Sequence, residues 1–138
     1  MNNTEAYTAE RLTPSVATYC HLRSAAGLSA KTEEAARKGL KGTLFAVQLL
    51  FQGEPIGMGR VIGDGGCFYQ VVDIAVLPEH QGKGLGKQIM HEIMVYLEAH
   101  APKSAYVSLI ADGKARDLYA QFGFAPTAPK SIGMAIKI

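Results

Sequence analysis

Val71-Val72-Asp73-Ile74-Ala75-Val76-Leu77, Pro78-Glu79-His80 and Gln81-Gly82-Lys83-Gly84-Leu85-Gly86-Lys87 follow one another without a break, and their reading decides the fold. The first segment is an apolar run with strand character. The second is a turn, and the third is a glycine-rich loop. Beyond it Leu85, Ile89, Ile93 and Leu97 recur every four residues, with Met90 and Met94 beside them. That spacing predicts a helix with a broad apolar face, ending near Glu98. Strand, glycine loop and helix in this order make a phosphate cradle. Glycine lets backbone approach a ligand closely, and the free N–H groups of a helix start point at an anion.

Working outward, Ala6–Leu12 reads as a first strand, with Thr13 as cap and Pro14 in the first turn of a helix through Tyr19 and Leu22. Gly27 stops it. Lys31–Leu40 reads as a short second helix, begun at Ser29 or Thr32 and broken at Gly42. Thr43–Phe51, Ile56–Ile62 and Cys67–Leu77 are three strands separated by the turn residues Gln52-Gly53-Glu54-Pro55 and Asp64-Gly65-Gly66, which predicts an antiparallel meander. After the long helix come a strand Ala105–Ile110, a short helix Lys114–Phe122 stopped by Gly123, and a final strand Ser131–Ile138. A further small strand is expected near Phe124. The order is a mixed α/β, α+β-like sandwich, not a repeating βαβ unit.

A chain of 138 residues suggests one domain, spanning 1–138, with a sizeable core. The hydrophobic share of 48% and charged share of 19% suit a soluble globular protein. A net charge of +2 is too small to argue for nucleic acid or an anionic membrane as partner. No apolar run approaches the ~20 residues of a membrane span, and the start lacks a secretory pattern. Cys20 and Cys67 read as reduced, partly buried thiols, so a cytoplasmic location is expected. No cysteine or histidine spacing suggests a metal.

Three phosphate-binding classes compete for the loop. A Walker loop needs a hydroxyl after its Gly-Lys, and here Gln88 follows Gly86-Lys87. A dinucleotide fingerprint needs G-x-G-x-x-G in a βαβ unit, whereas the spacing here is Gly82-x-Gly84-x-Gly86 after antiparallel strands. Gln81-Gly82-Lys83-Gly84-Leu85-Gly86 instead matches Q/R-x-x-G-x-G/A. With Asp73-Ile74-Ala75-Val76-Leu77-Pro78 and the Tyr119-Ala120-Gln121-Phe122-Gly123-Phe124 segment, it resembles the GCN5-related N-acetyltransferase (GNAT) family across nearly the whole chain.

The resemblance implies a central, mostly antiparallel sheet of six to seven strands flanked by about four helices. It implies acetyl-CoA as co-substrate, its pyrophosphate held by the backbone of Gln81, Gly82, Lys83, Gly84, Leu85, Gly86 and Lys87. Gly86 would let helix and sheet pack tightly. Ile74, Ala75 and Val76 would pair with the pantetheine arm across a gap between this strand and Ala105–Ile110, and a backbone N–H there would polarise the acetyl carbonyl. The resemblance implies that Asp112 meets the pantetheine or faces the amine, and that Lys114 meets the CoA 3′-phosphate or stands as a solvated lysine at the helix start.

Tyr119 matches the position of the general acid. Asp73, a carboxylate in an apolar strand, is open to three roles: base, holder of the substrate cation, or structural group. His80 reads as an exposed turn residue. The acceptor implied is a small primary amine, such as an arylalkylamine, polyamine or amino sugar. A protein amine, or a non-catalytic acyl-CoA sensor, is the alternative. A homodimer is possible through the apolar last strand.

Overall fold

A computed structural model of the protein describes residues 6–138. Five strands form one sheet in the order β1-β2-β3-β4-β5: β1 Tyr7–Glu10, β2 Phe45–Phe51, β3 Glu54–Gly63, β4 Phe68–Val76 and β5 Tyr106–Ser108. The first four are antiparallel neighbours, and β5 lies parallel to β4. The meander read from the turns is present. Asp64 closes its second turn by accepting the N–H groups of Gly66 and Phe68 at 2.8 and 3.1 Å.

Helices cover both faces. On one face, α3 (Leu85–His100) buries Leu85, Ile89, Met90, Ile93 and Leu97 against β2, β3 and β4. Each such side chain removed from water contributes about 1.5–3 kcal/mol. The short α4 (Ala115–Ala120) packs beside it and adds buried Tyr119. On the other face, α1 (Val16–Ala25) and α2 (Glu33–Leu40) form a smaller core in which Tyr19, Leu22 and Ala36 meet Met58 and Ala75. Thr32 caps α2 through a 3.1 Å bond to the Ala35 N–H. The cap of α1 is Ser15, which accepts the Thr18 N–H at 3.1 Å, so the helix starts two residues beyond Thr13.

Three further expectations are corrected. Ser131–Ile138 forms no strand, and neither does the chain near Phe124, so the sheet has five strands among the described residues and not six or seven. The apolar alternation of the last segment is real, but no strand of the sheet pairs with it. Cys67 is exposed, because it sits in the turn and not in β4, while Cys20 is half-buried.

β3 explains its own glycines. A Cβ on Gly59 would lie 2.5 Å from Ile89 Cγ2 and 2.8 Å from Ile74 Cδ1, so only glycine lets α3 sit this close to the sheet. Gly59 also faces an irregularity. Met58 pairs with Ala75 and Arg60 with Val72, which leaves Asp73 and Ile74 opposite one residue. That is a β-bulge, and Asp73 occupies it in the left-handed region at φ +61°.

Candidate active site

The bulge and the end of β5 together open the sheet. β4 and β5 pair only through Phe68↔Tyr106, Tyr69↔Val107 and Gln70↔Ser108. Beyond them Val71–Val76 runs on without a β5 partner. A cavity of about 410 Å³ lies in this region, between the end of β4, the glycine loop and α4. Ile74 and Val76 line it from the strand. Gln81, Gly82, Gly84, Leu85 and Gly86 line it from the loop, and Ala115, Leu118 and Tyr119 from α4.

The loop is shaped for an anion. Gly82 and Gly84 have φ of +78° and +77°, and a Cβ on either would meet nothing within 4 Å. Gly84 is the N-cap of α3 and offers no side-chain cap. The N–H groups of Leu85, Gly86 and Lys87 have no backbone partner among the described residues; the first intrahelical bond comes from Gln88 to Gly84. Unpaired donors at the positive end of a sixteen-residue helix favour negative charge. Gln81 steadies the loop entrance by donating to the Val76 carbonyl at 2.9 Å. Gly86 gives α3 close contact with α4, not with the sheet: a Cβ there would lie 3.2 Å from Leu118 Cδ2.

Tyr119 is buried and lines the cavity. Its hydroxyl has no hydrogen-bond partner among the described residues, yet no buried side-chain oxygen is left sealed without one, so the hydroxyl is reached by solvent. Burial, and secondly the negative charge of Asp112, push its pKa above the ordinary value of 10.0. The phenol therefore keeps its proton throughout the neutral range.

Asp73 lies on the other face of the sheet. Its Oδ1 accepts from the Tyr19 hydroxyl at 2.9 Å and from Arg23 Nη1 at 2.6 Å, and its Oδ2 accepts from Arg60 Nε at 2.8 Å. The carboxylate is 4% exposed and the two guanidinium side chains 10% and 8%. Each arginine is tied elsewhere as well: Arg23 to the Ser29 carbonyl, and Arg60 to Thr43 Oγ1 and the Gly39 carbonyl. α1 and β3 thus clamp the bulge through one carboxylate. Burial, then the charge of Asp73, raise the pKa of Tyr19.

A second cavity of about 240 Å³ adjoins this cluster, lined by Tyr19, Lys31, Ala35, Ala36, Gly39, Leu40 and Arg60.

The sequence-based site residues divide accordingly. Ile74, Val76, Gln81, Gly82, Gly84, Leu85, Gly86 and Tyr119 share the larger cavity. Asp73, Ala75, Lys83, Lys87, Asp112 and Lys114 are not on its lining. Ala75 faces the α1 core, and Lys83 turns toward Tyr7, 3.4 Å from its hydroxyl. His80 is corrected: it is half-buried, its Nδ1 2.6 Å from the Tyr7 hydroxyl, and it lines the cavity. Ala115 and Leu118 were missed. Ala115 stands four residues before Tyr119 and three before Leu118, and that helical spacing was the available signal.

Comparison with known proteins gives one consistent answer. Residues 41–126 match the family model described as an acetyltransferase (GNAT) domain. A solved structure of a probable acetyltransferase of unknown function from meticillin-resistant Staphylococcus aureus is 52% identical, with a TM-score of 0.91 over 96% of this chain and 99% of that one. Among curated proteins, 69 residues are 35% identical to GCN5-related N-acetyltransferase 2, chloroplastic, of Arabidopsis thaliana, and 83 residues are 31% identical to serotonin N-acetyltransferase 2, chloroplastic, of Oryza sativa. The match takes in 50% and 60% of this chain, and spans only 26% and 40% of those two relatives.

Proposed function

Because the chain belongs to the GNAT acetyltransferase family, we propose that it transfers the acetyl group of acetyl-CoA to the primary amine of a small molecule, by direct attack in a ternary complex. The observation that carries this reading is the meeting, in one cavity, of an uncapped glycine helix start with a protonated, unpartnered phenol. The first suits a pyrophosphate, and the second suits a leaving thiolate.

Acetyl-CoA supplies the activated acetyl group when bound. The N–H groups of Leu85, Gly86 and Lys87 hold its pyrophosphate, and Gly82 and Gly84 keep the approach clear. The backbone at Ile74, next to the bulge, polarises the thioester carbonyl, and its neighbours Ala75 and Val76 continue the strand that the pantetheine follows. As the neutral amine's nitrogen bonds to carbon and the carbon–sulfur bond breaks, Tyr119 gives its proton to sulfur; the proton lost by the nitrogen passes to solvent water, from which the Tyr119 phenolate takes one back. Its raised pKa keeps that proton available. Lys83, Lys87, Asp112 and Lys114, whose side chains do not line the cavity, act by charge from outside it.

Asp73 serves as a positioning residue. Both its oxygens are engaged by cations or a phenol, so it has no free face for an ammonium, and its side chain points away from the donor cavity. Holding a left-handed non-glycine residue costs about 1–3 kcal/mol and needs surroundings that over-determine it. Tyr19, Arg23 and Arg60 supply them.

The amine approaches from the α1 and α2 face, where the smaller cavity lies. Its lining carries Lys31 and Arg60 and no carboxylate, which disfavours a polyamine relative to an arylalkylamine or amino sugar. We further propose that the working form is a homodimer.

A thiol-release assay with acetyl-CoA and a panel of arylalkylamines, amino sugars and polyamines tests the reading. Amine-dependent release of free thiol is expected. Tight CoA binding with no release from any amine would favour an acyl-CoA sensor instead.

A further inference from the structure

The cluster that clamps the bulge carries more positive than negative charge. Asp73 is its one carboxylate, and it faces two guanidinium groups, Arg23 and Arg60. Tyr19 adds no anion, since burial and then the charge of Asp73 hold its phenol protonated. Lys31 brings a further positive charge to the lining of the smaller cavity and has no carboxylate partner among the described residues. The acidic residues of α2, Glu33 and Glu34, are exposed and pair with Arg37 and Lys38. An excess of buried charge is costly unless an anion answers it.

The hydrogen bonds show which group is left to answer. Every nitrogen of Arg23 has a partner: Nε and Nη2 donate to the Ser29 carbonyl at 2.9 and 2.7 Å, Nη2 also to Ser29 Oγ at 3.0 Å, and Nη1 to Asp73. Arg60 differs. Its Nε is on Asp73 and its Nη1 on Thr43 Oγ1 and the Gly39 carbonyl, while Nη2 has no partner among the described residues. The side chain is only 8% exposed, yet no buried side-chain nitrogen is left sealed without a partner, so Nη2 is reached by solvent. Arg60 lines the smaller cavity, and so does Tyr19, whose ring centroid lies 5.3 Å from Arg60 Cζ. The guanidinium is thus fixed by two of its nitrogens and one aromatic ring. A donor held in this way loses little freedom when a ligand arrives.

We propose that the acceptor is an amine that also carries an anionic group, a carboxylate or a phosphate, and that Arg60 Nη2 and Lys31 Nζ receive this group in the smaller cavity. The inference rests on the acetyltransferase reading and narrows its acceptor. Carboxylate and phosphate oxygens both take short, charge-assisted hydrogen bonds from guanidinium and ammonium donors. A volume of about 240 Å³ is below the roughly 300–1,000 Å³ that encloses a drug-sized ligand, so the cavity takes one end of a small molecule and leaves the amine outside it. Arg60 pairs with Val72, one residue before the bulge, so an acceptor anchored there is held beside the backbone that meets the thioester.

Thiol release by the full chain with acetyl-CoA tests this on two matched pairs: an aromatic amino acid against the arylalkylamine that lacks its carboxylate, and an amino sugar monophosphate against the free amino sugar. The anionic member of at least one pair should have a kcat/KM at least about tenfold higher. Lys31→Glu, at an exposed position, should cut that preference at least about tenfold, and Lys41→Glu, the same charge change outside the cavity, should leave it within about threefold. Thermal melts with CoA present give a readout that needs no turnover: the preferred anionic compound should raise Tm, and Lys31→Glu should abolish the rise. Equal or lower kcat/KM for the anionic member of both pairs would overturn the anion site and leave the acetyltransferase reading standing. An equal loss of preference in both lysine variants would overturn it as well, by placing the effect in overall charge and not in the cavity. If no amine releases thiol, the transfer reading falls, and the melts decide the site alone: a rise abolished by Lys31→Glu supports it, and no rise with either anionic compound overturns it.

Discussion

Replacing Asp73 with Asn separates a positioning carboxylate from a catalytic base. Asn keeps the shape of the side chain and tolerates the left-handed region, so the bulge at φ +61° is not itself strained by the change. What it removes is the charge. Arg23 and Arg60, with side chains 10% and 8% exposed, are then left as two buried cations without an anion. Breaking a buried pair in this way costs about 3–5 kcal/mol, a large part of the roughly 5–15 kcal/mol that holds a domain folded. At about 3 °C per kcal/mol for a chain of this size, Tm should fall by roughly 10–15 °C. Denaturant and thermal melts measure the loss. A cycle with Arg60→Gln should show coupling of about 0.5–3 kcal/mol, because both residues act in one cluster. At temperatures where the variant is folded, turnover should persist with its pH profile unshifted. A base removed from the chemistry would instead cost about 10²–10⁴ in kcat. An unchanged Tm together with a kcat loss of that size would refute the reasoning.

Tyr119→Phe should lower kcat by about 10²–10⁴ while leaving the CoA dissociation constant within a factor of two or so, measured by steady-state kinetics and calorimetry; unchanged turnover would remove Tyr119 from the chemistry. Because burial, and secondly Asp112, raise its pKa above the ordinary 10.0, the phenol is protonated through the neutral range, so kcat should rise with pH as the amine loses its proton, and the midpoint of any alkaline fall should lie above that of an ordinary tyrosine. Gly84→Asp should weaken CoA binding at least about tenfold, since its carboxylate competes for the free N–H groups of the helix start; an equal dissociation constant would contradict the placement of the donor. Gly59→Ala should destabilise the fold by about 1–3 kcal/mol in urea melts, because its methyl group meets Ile89 and Ile74 within 3 Å.

The glycine loop and the helix it opens were legible in the sequence because their signals are local. Gly82 and Gly84 announce a helix start without a side-chain cap, and the four-residue spacing of Leu85, Ile89, Ile93 and Leu97 fixes which face of α3 is buried. The meander was legible for the same reason, since Asp64-Gly65-Gly66 carries its turn geometry with it. The cluster around Asp73 was not. Tyr19, Arg23, Arg60 and Asp73 are up to 54 residues apart, and only the crossing of α1 over β3 and β4 brings them together. A lone aspartate in an apolar strand signals that something is unusual, but not that two arginines answer it. The bulge is equally hidden, as it depends on register between β3 and β4 and on Gly59 opposite. The last segment failed in the opposite sense: its alternation reads as a strand, but residues 131–138 pair with no strand of the sheet, and apolar alternation alone does not supply a partner.

A crystal structure of the wild-type protein with acetyl-CoA tests the central claim most directly. The account predicts the pyrophosphate on the N–H groups of Leu85, Gly86 and Lys87, the thioester in the gap beyond the Gln70↔Ser108 pair with its carbonyl oxygen accepting from the Ile74 backbone, and the Tyr119 hydroxyl within hydrogen-bond reach of the sulfur. A donor seated elsewhere, or a thioester beyond the reach of both Ile74 and Tyr119, would contradict it.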